Sequence, residues 1–172
     1  MAIDIQSIID RLPSRIKELH DSAFDLTYRS NELNVEAIDS ATLLLAIVRK
    51  GGGFDTPAGR LASLGVGEAQ ITRCIIQNIP RRVPGKPDRK RSPHGEVRQA
   101  EIVVKYTDAA KELLNFLHLR RDNNNLYTLL DGIVTRRNPI VEQIFGSVNL
   151  SVPEARVVLQ LPPVVYYTAR RA

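Results

Sequence analysis

A chain of 172 residues has room for one medium domain or two small lobes, and its 43% apolar and 25% charged shares are those of an ordinary globular protein with a real core. No apolar run approaches the ~18 residues that a membrane-spanning helix needs, and the start MAIDIQSIIDRL carries acids and no basic leader, which excludes a secretory signal and points to a soluble, cytoplasmic protein. The net charge of +5 is concentrated in Arg81, Arg82, Lys86, Arg89, Lys90, Arg91 and Arg98, opposed only by Asp88 and Glu96, so it describes a segment and not a whole surface.

Taken in chain order, Ile3, Ile5, Ile8, Ile9 and Leu12 predict a short leader helix within residues 1–18, and Pro13 suits a first helical turn. Ile16, Leu19, Ala23 and Leu26 recur at helical steps of three and four. The stretch IDSATLLLAIVRKGGGF, 38–54, reads as a core helix. Ser40 is placed to cap its start, Leu43, Leu44, Ile47 and Val48 share a face, and Leu45 and Ala46 widen it. Arg49 and Lys50 lie where the helix dipole favours cations, and Gly51 is a suitable stop. The three glycines are not a phosphate cradle, because such a loop needs Lys and then Ser or Thr after its last glycine, and here Phe54-Asp55-Thr56 follow Gly53.

Ala58, Leu61 and Leu64 predict a short helix stopped by Gly65, and Ile71, Ile75, Ile76 and Ile79 a longer one stopped by Pro80. The lone Cys74 excludes an internal disulfide, fits a reducing compartment and reads as a buried, inert thiol. Residues 80–104 are a basic, proline-rich linker or long exposed loop. Beyond it, Thr107 can cap a helix striped by Ala110, Leu113, Leu114 and Leu117, and Asn123-Asn124-Asn125 breaks it. LYTLLDGIVTRRN is a second apolar helix, Pro139 opens a third, and Ser151-Val-Pro-Glu154 is a capping-box start for a fourth. Pro162-Pro163 stop it, and the tail 161–172, with Tyr166 and Tyr167, is expected to be extended.

The second half repeats the first. Residues 22–30 correspond to 109–117 at an offset of 87, 44–50 to 130–136 at 86, and 60–71 to 144–155 at 84. A nearly constant offset across three separate blocks, drifting as loop insertions would make it drift, argues for an internal duplication. In this alignment Gly65 becomes Asn149, the non-glycine residue that best tolerates a left-handed backbone.

With these blocks in view, IDSATLLLAIVRKGGGF and RLASLGVG resemble the first repeat of the Clp N-terminal domain family, and VKYTDAAKELL, LYTLLDGIV and VNLSVPEARVVLQL its second, over residues 19–160. The resemblance implies an all-α fold of two pseudo-twofold-related four-helix repeats, 19–79 and 105–160. It also implies a protein-binding role in front of a Clp AAA+ unfoldase, receiving substrates or adaptors. No Walker motif occurs in the chain, and the intact Met1 with the leader at 1–18 suggests a stand-alone accessory member. Family members that hold phosphorylated arginine carry Thr-Glu-His at the start of each repeat's second helix. The matching positions here read Ser40-Ala41-Thr42 and Leu126-Tyr127-Thr128, without the glutamates. A guanidinium without its carboxylate forgoes about 1.5–3 kcal/mol per charged hydrogen bond, so that recognition chemistry is not expected. Asp131 sits where the pattern wants Leu.

His20, His94 and His118 share no metal-ligand spacing with one another or with Cys74 and read as independent surface or boundary side chains. Asp21, Asp25, Glu32 and Glu36 read as solvated helix faces, and no Ser-His-Asp or Cys-His grouping stands out. The expectation is therefore a non-enzymatic interaction module without metal or cofactor that binds a Clp unfoldase, its adaptor or a substrate segment. Its partner-binding candidates are Arg81, Arg82, Lys86, Arg89, Lys90, Arg91, Ser40, Thr42, Tyr127, Thr128, Tyr166 and Tyr167. The alternative is a nucleic-acid-associated protein using the cations of 81–98. It is disfavoured because no aromatic residue lies in that segment to stack on bases.

Overall fold

A computed structural model describes residues 4–30, 32–53, 55–82, 104–120 and 125–159. Lys86, Arg89, Lys90, Arg91, Arg98, His94, Tyr166 and Tyr167, and with them most of the basic linker and the whole tail 161–172, lie outside the described residues.

The described residues form α-helices and no strand. In order they are α1 (Ile5–Asp10), α2 (Ser14–Phe24), a π-helical turn (Asp25–Arg29), α3 (Ser40–Lys50), α4 (Pro57–Ser63) and α5 (Glu68–Asn78). After the linker come α6 (Asp108–Leu119), α7 (Leu126–Thr135), α8 (Pro139–Gly146) and α9 (Val152–Val158). The fold is all-α, as the helical spacing of the apolar residues predicts. Helix α1 ends before Pro13 and α2 starts at Ser14, so the boundary set at residue 18 falls inside α2. Proline has no N–H to give and restricts the residue before it, which separates the two helices.

Most helix starts carry the side chain that satisfies their orphan N–H groups. Thr56, Thr107, Asn125, Asn138 and Ser151 each accept a backbone N–H at the start of α4, α6, α7, α8 and α9, and Ser151 with Glu154 completes the predicted capping box. At α3 the cap is Asp39 and not Ser40. The Asp39 carboxylate accepts from the Ala41 N–H at 2.8 Å, and Thr42 Oγ1 accepts from the Asp39 N–H at 3.1 Å. The shift by one residue follows from chemistry, since a carboxylate is the stronger acceptor for the positive end of a helix.

Helix α3 is the hub. Every residue from Ser40 to Ile47 is buried, because α2, α4 and α5 pack around it from one half and α6, α7 and α8 from the other. Fully burying each of Leu43, Leu44, Leu45 and Ile47 stabilises the fold by about 1.5–3 kcal/mol. One continuous apolar cluster runs from Ile8 on α1 to Leu159 after α9. Further seams join the halves where α5 packs on α8 and α1 packs on α6.

Both ends of the basic segment are fastened to residues 34–38. Arg82 N–H donates to Asn34 O at 2.9 Å and Glu36 N–H to Pro80 O at 3.0 Å. On the other side Ile38 N–H donates to Lys105 O at 2.9 Å and Thr107 N–H to Ile38 O at 3.0 Å. Three side chains of the first half grip three successive stem residues. Tyr28 Oη accepts from the Lys105 N–H at 2.8 Å, His20 Nε2 lies 2.8 Å from Tyr106 Oη, and Asp39 Oδ1 accepts from Thr107 Oγ1 at 2.5 Å.

Candidate binding clefts

Two clefts open along the α2–α3 seam, and both include Leu19 and Lys50. The larger, of about 480 Å³, lies between α2, the π-helical turn and the end of α3. Its floor is Leu19, Leu26 and Ala46, and its rim carries Glu18, Asp25, Glu32, Arg49 and Lys50. The π turn is written into the hydrogen bonds: Ser30 N–H reaches back five residues to Asp25 O at 2.7 Å, while the Thr27 hydroxyl donates to Ala23 O at 2.8 Å. Such insertions re-aim the side chains beyond them and often border functional surfaces. The rim sets each cation near an acid. Arg49 is paired with Glu32 and lies 3.5 Å from Glu68, Lys50 is 3.9 Å from Glu18, and Arg29 is 3.3 Å from Asp25. The Glu32 carboxylate holds the Arg49 guanidinium even more firmly protonated than usual.

The smaller cleft, of about 320 Å³, is enclosed by α2, the end of α3, the start of α4 and the start of α7. Its walls are Leu19, Ile47, Pro57, Ala58 and Leu126, and its charged lining residues are Arg15 and Lys50. Gly51 closes one side at φ 66°, a conformation that suits glycine at the end of α3.

The predicted site residues do not converge on either cleft. Ser40 and Thr42 are corrections: they are 1% and 0% exposed and their oxygens are engaged internally, Ser40 Oγ with Asn138 Nδ2 at 2.6 Å and Thr42 with the α3 cap. Tyr127 is half-buried, its hydroxyl donates to Asp55 O and its ring lies under Arg60 at 4.9 Å. Thr128 is half-buried, and its N–H donates to the Asn125 cap. Arg82 is folded back, donating to Tyr28 O at 3.1 Å and stacking over the Tyr28 ring at 5.3 Å, whereas Arg81 is exposed.

Four charged or polar groups differ from their sequence reading. His20 is not a surface side chain but 7% exposed, and burial pushes its pKa below the ordinary histidine value. Glu32 and Glu36 lie in a turn and a bend, not on helix faces. Asp131 is inside because Arg156 follows it there: Arg156 Nη1 donates to Asp131 Oδ1 at 2.7 Å and also reaches Thr135 Oγ1, and both charged side chains are about nine-tenths covered.

Sequence reasoning missed the polar knot around Asp39. Its carboxylate, 1% exposed, takes hydrogen bonds from the Ala41 N–H, the Thr107 hydroxyl and, at 2.8 Å, Asn138 Nδ2, so the caps of α3, α6 and α8 meet in one buried network. The Asp-x-x-Thr pattern of 39–42 was the available signal for the cap, but its partners are 68 and 99 residues away.

Cys74 is buried, and desolvation raises its thiol pKa, which suppresses the thiolate. Among the described residues no group of three or more His, Cys, Asp or Glu side chains could hold a metal ion, and no helix is long and apolar enough to cross a membrane. No family model matches the chain, and no curated protein matches it.

Proposed function

We propose that the chain is a non-catalytic, cytoplasmic interaction module of two Clp-N-like repeats that binds a Clp-type unfoldase, its adaptor or a substrate segment and so modulates regulated proteolysis. The reading is carried by the turns after α4 and α8. Gly65 has φ 82° and Asn149 φ 60°, and each lies in the same hydrogen-bond pattern. Val66 N–H donates to Leu61 O at 3.1 Å while Gly65 N–H donates to Ala62 O at 3.0 Å. Leu150 N–H donates to Phe145 O and Asn149 N–H to Gly146 O, both at 3.0 Å. Both are left-handed helix C-caps. They also approach each other, since a side-chain carbon on Gly65 would lie 3.7 Å from Val148.

The packing supports the same exchange. Helix α2 packs on α7 as α6 packs on α3, α3 packs on α8 as α7 packs on α4, and α3 meets its own counterpart α7. Paired helices around a twofold axis leave grooves of the size that accept peptide segments. The test is isothermal titration of the purified chain against a purified Clp-type unfoldase. The reading expects saturable binding with a Kd in the micromolar range, and heat of dilution alone at on the order of 100 µM would overturn it.

A further inference from the structure

The smaller cleft differs from the larger one in charge. Arg49 and Lys50 at the larger cleft face Glu18, Asp25 and Glu32, so an incoming anion meets acids there. The smaller cleft is lined by Arg15 and Lys50 and by no carboxylate. Arg15 is exposed and has no carboxylate partner among the described residues, while Lys50 shares Glu18 only at 3.9 Å between two well-exposed side chains, a pairing of little strength. Leu19, Ile47, Ala58 and Leu126 wall the same cavity.

We infer that this cleft binds the C-terminal carboxylate of a peptide whose last residue is apolar. The inference rests on the reading of the chain as a protein-binding module and names the part of the partner it takes. An apolar group and an anion must enter together, so they must be joined within a few bonds. A terminal Leu or Val carries both on one α-carbon. An internal acidic residue beside an apolar one does not fit, because neighbouring side chains of an extended segment point to opposite sides. The volume of about 320 Å³ is at the lower end for ligand pockets, enough for one large apolar residue with its carboxylate and too small for a long acyl chain. The two cations sit on different helices, α2 and α3, and so can approach the carboxylate from two directions.

The experiment is a titration of the ¹⁵N-labelled full chain, read by amide shifts, with an N-acetylated hexapeptide ending in alanyl-leucine, as the free acid and as the C-terminal amide. The free acid is expected to give saturable shifts at Gly51, Thr56 and Leu126, and the amide to bind about tenfold more weakly. Arg15→Met and Lys50→Met, both changes at exposed side chains, are expected to weaken the acid several-fold and leave the amide unchanged. Equal affinity for acid and amide, shifts centred on Ser22 and Ser30 of the larger cleft, or no saturable shift would each overturn the inference. So would octanoate moving the same amides where the peptide does not. Titrating the unfoldase and the peptide against the same unsubstituted chain separates the two readings: saturable binding of the unfoldase together with silence toward the peptide sinks this inference alone.

Discussion

At the scale of single residues, the buried groups that tie the halves together are those the sequence hid best. His20 reads as one of three unrelated histidines, yet it is buried against Tyr106, with the rings stacked at 5.9 Å. Its Nδ1 is buried 3.6 Å from Asp21 Oδ1 with no hydrogen-bond partner among the described residues, and its Nε2 lies 2.8 Å from the Tyr106 hydroxyl, whose pKa burial pushes up to about 12. Burial is the largest influence on His20 and lowers its pKa, Asp21 opposes it, and Lys17 adds a small further lowering. The native state therefore refuses a proton that the unfolded chain takes near pH 6.5. His20 contributes its full stability above that value, and loses it as pH falls from 6.5 through the depressed native pKa. Denaturant midpoints measured from pH 7.5 to 4.5 are expected to fall more steeply for the native sequence than for His20→Gln, by at most about 1.4 kcal/mol per pH unit. His94 and His118 are common to both chains, so the difference isolates His20; parallel curves would show that it titrates normally. Asp39 is a second case. Asp39→Ala strips three donors of a buried acceptor and is expected to destabilise by about 3 kcal/mol or more, while Asp39→Asn, which keeps an acceptor for the helix cap, loses about half of that. Equal losses for the two would mean that the carboxylate serves only its charge.

At the scale of elements, local chemistry was legible and long-range pairing was not. Helix starts at Thr107, Pro139 and Ser151 and stops at Gly51, Gly65 and Pro80 follow from capping and backbone preference, which act over four residues. The left-handed Asn149 was legible because the alignment of the two halves set it opposite Gly65. The cap of α3 was missed by one residue because Asp and Ser compete for the same role, and the π turn was missed because a single inserted residue leaves no mark on apolar spacing. Asp131 is the instructive failure. A charged residue in an apolar stripe looked like divergence of the second repeat, whereas it answers Arg156 on α9. Removing one member of a buried ion pair costs about 3–5 kcal/mol, while replacing both by apolar residues of similar size is often neutral. Asp131→Leu and Arg156→Leu are each expected to lower stability by about that range, and the double variant to recover most of it. Additive losses in urea unfolding would show that the two charges are independent.

At the scale of the whole molecule, the proposed repeat and the cooperative unit are different things. The sequence divides cleanly at the basic segment, and from the offsets alone one would expect two lobes. The packing divides otherwise. Helix α3 is covered by helices of both halves, α1 packs on α6, α5 on α8, and residues 105–107 are held by Tyr28, His20 and Asp39. Sequence could not show this, because burial on the far side of α3 is indistinguishable from burial within its own four helices. Neither half can keep its core shielded without the other, so unfolding is expected to be a single two-state transition. Tyr28, Tyr106 and Tyr127 lie at contacts between the halves, so tyrosine fluorescence reports their docking while circular dichroism at 222 nm reports helix content. The two urea curves are expected to superimpose, and a chain cut to residues 1–82 is expected to melt without a cooperative baseline, since it exposes the faces of α3 and α5 that α6, α7 and α8 cover. A fluorescence transition that precedes the loss of helix would mean that the halves part before they unfold, and that the linker joins two stable bodies.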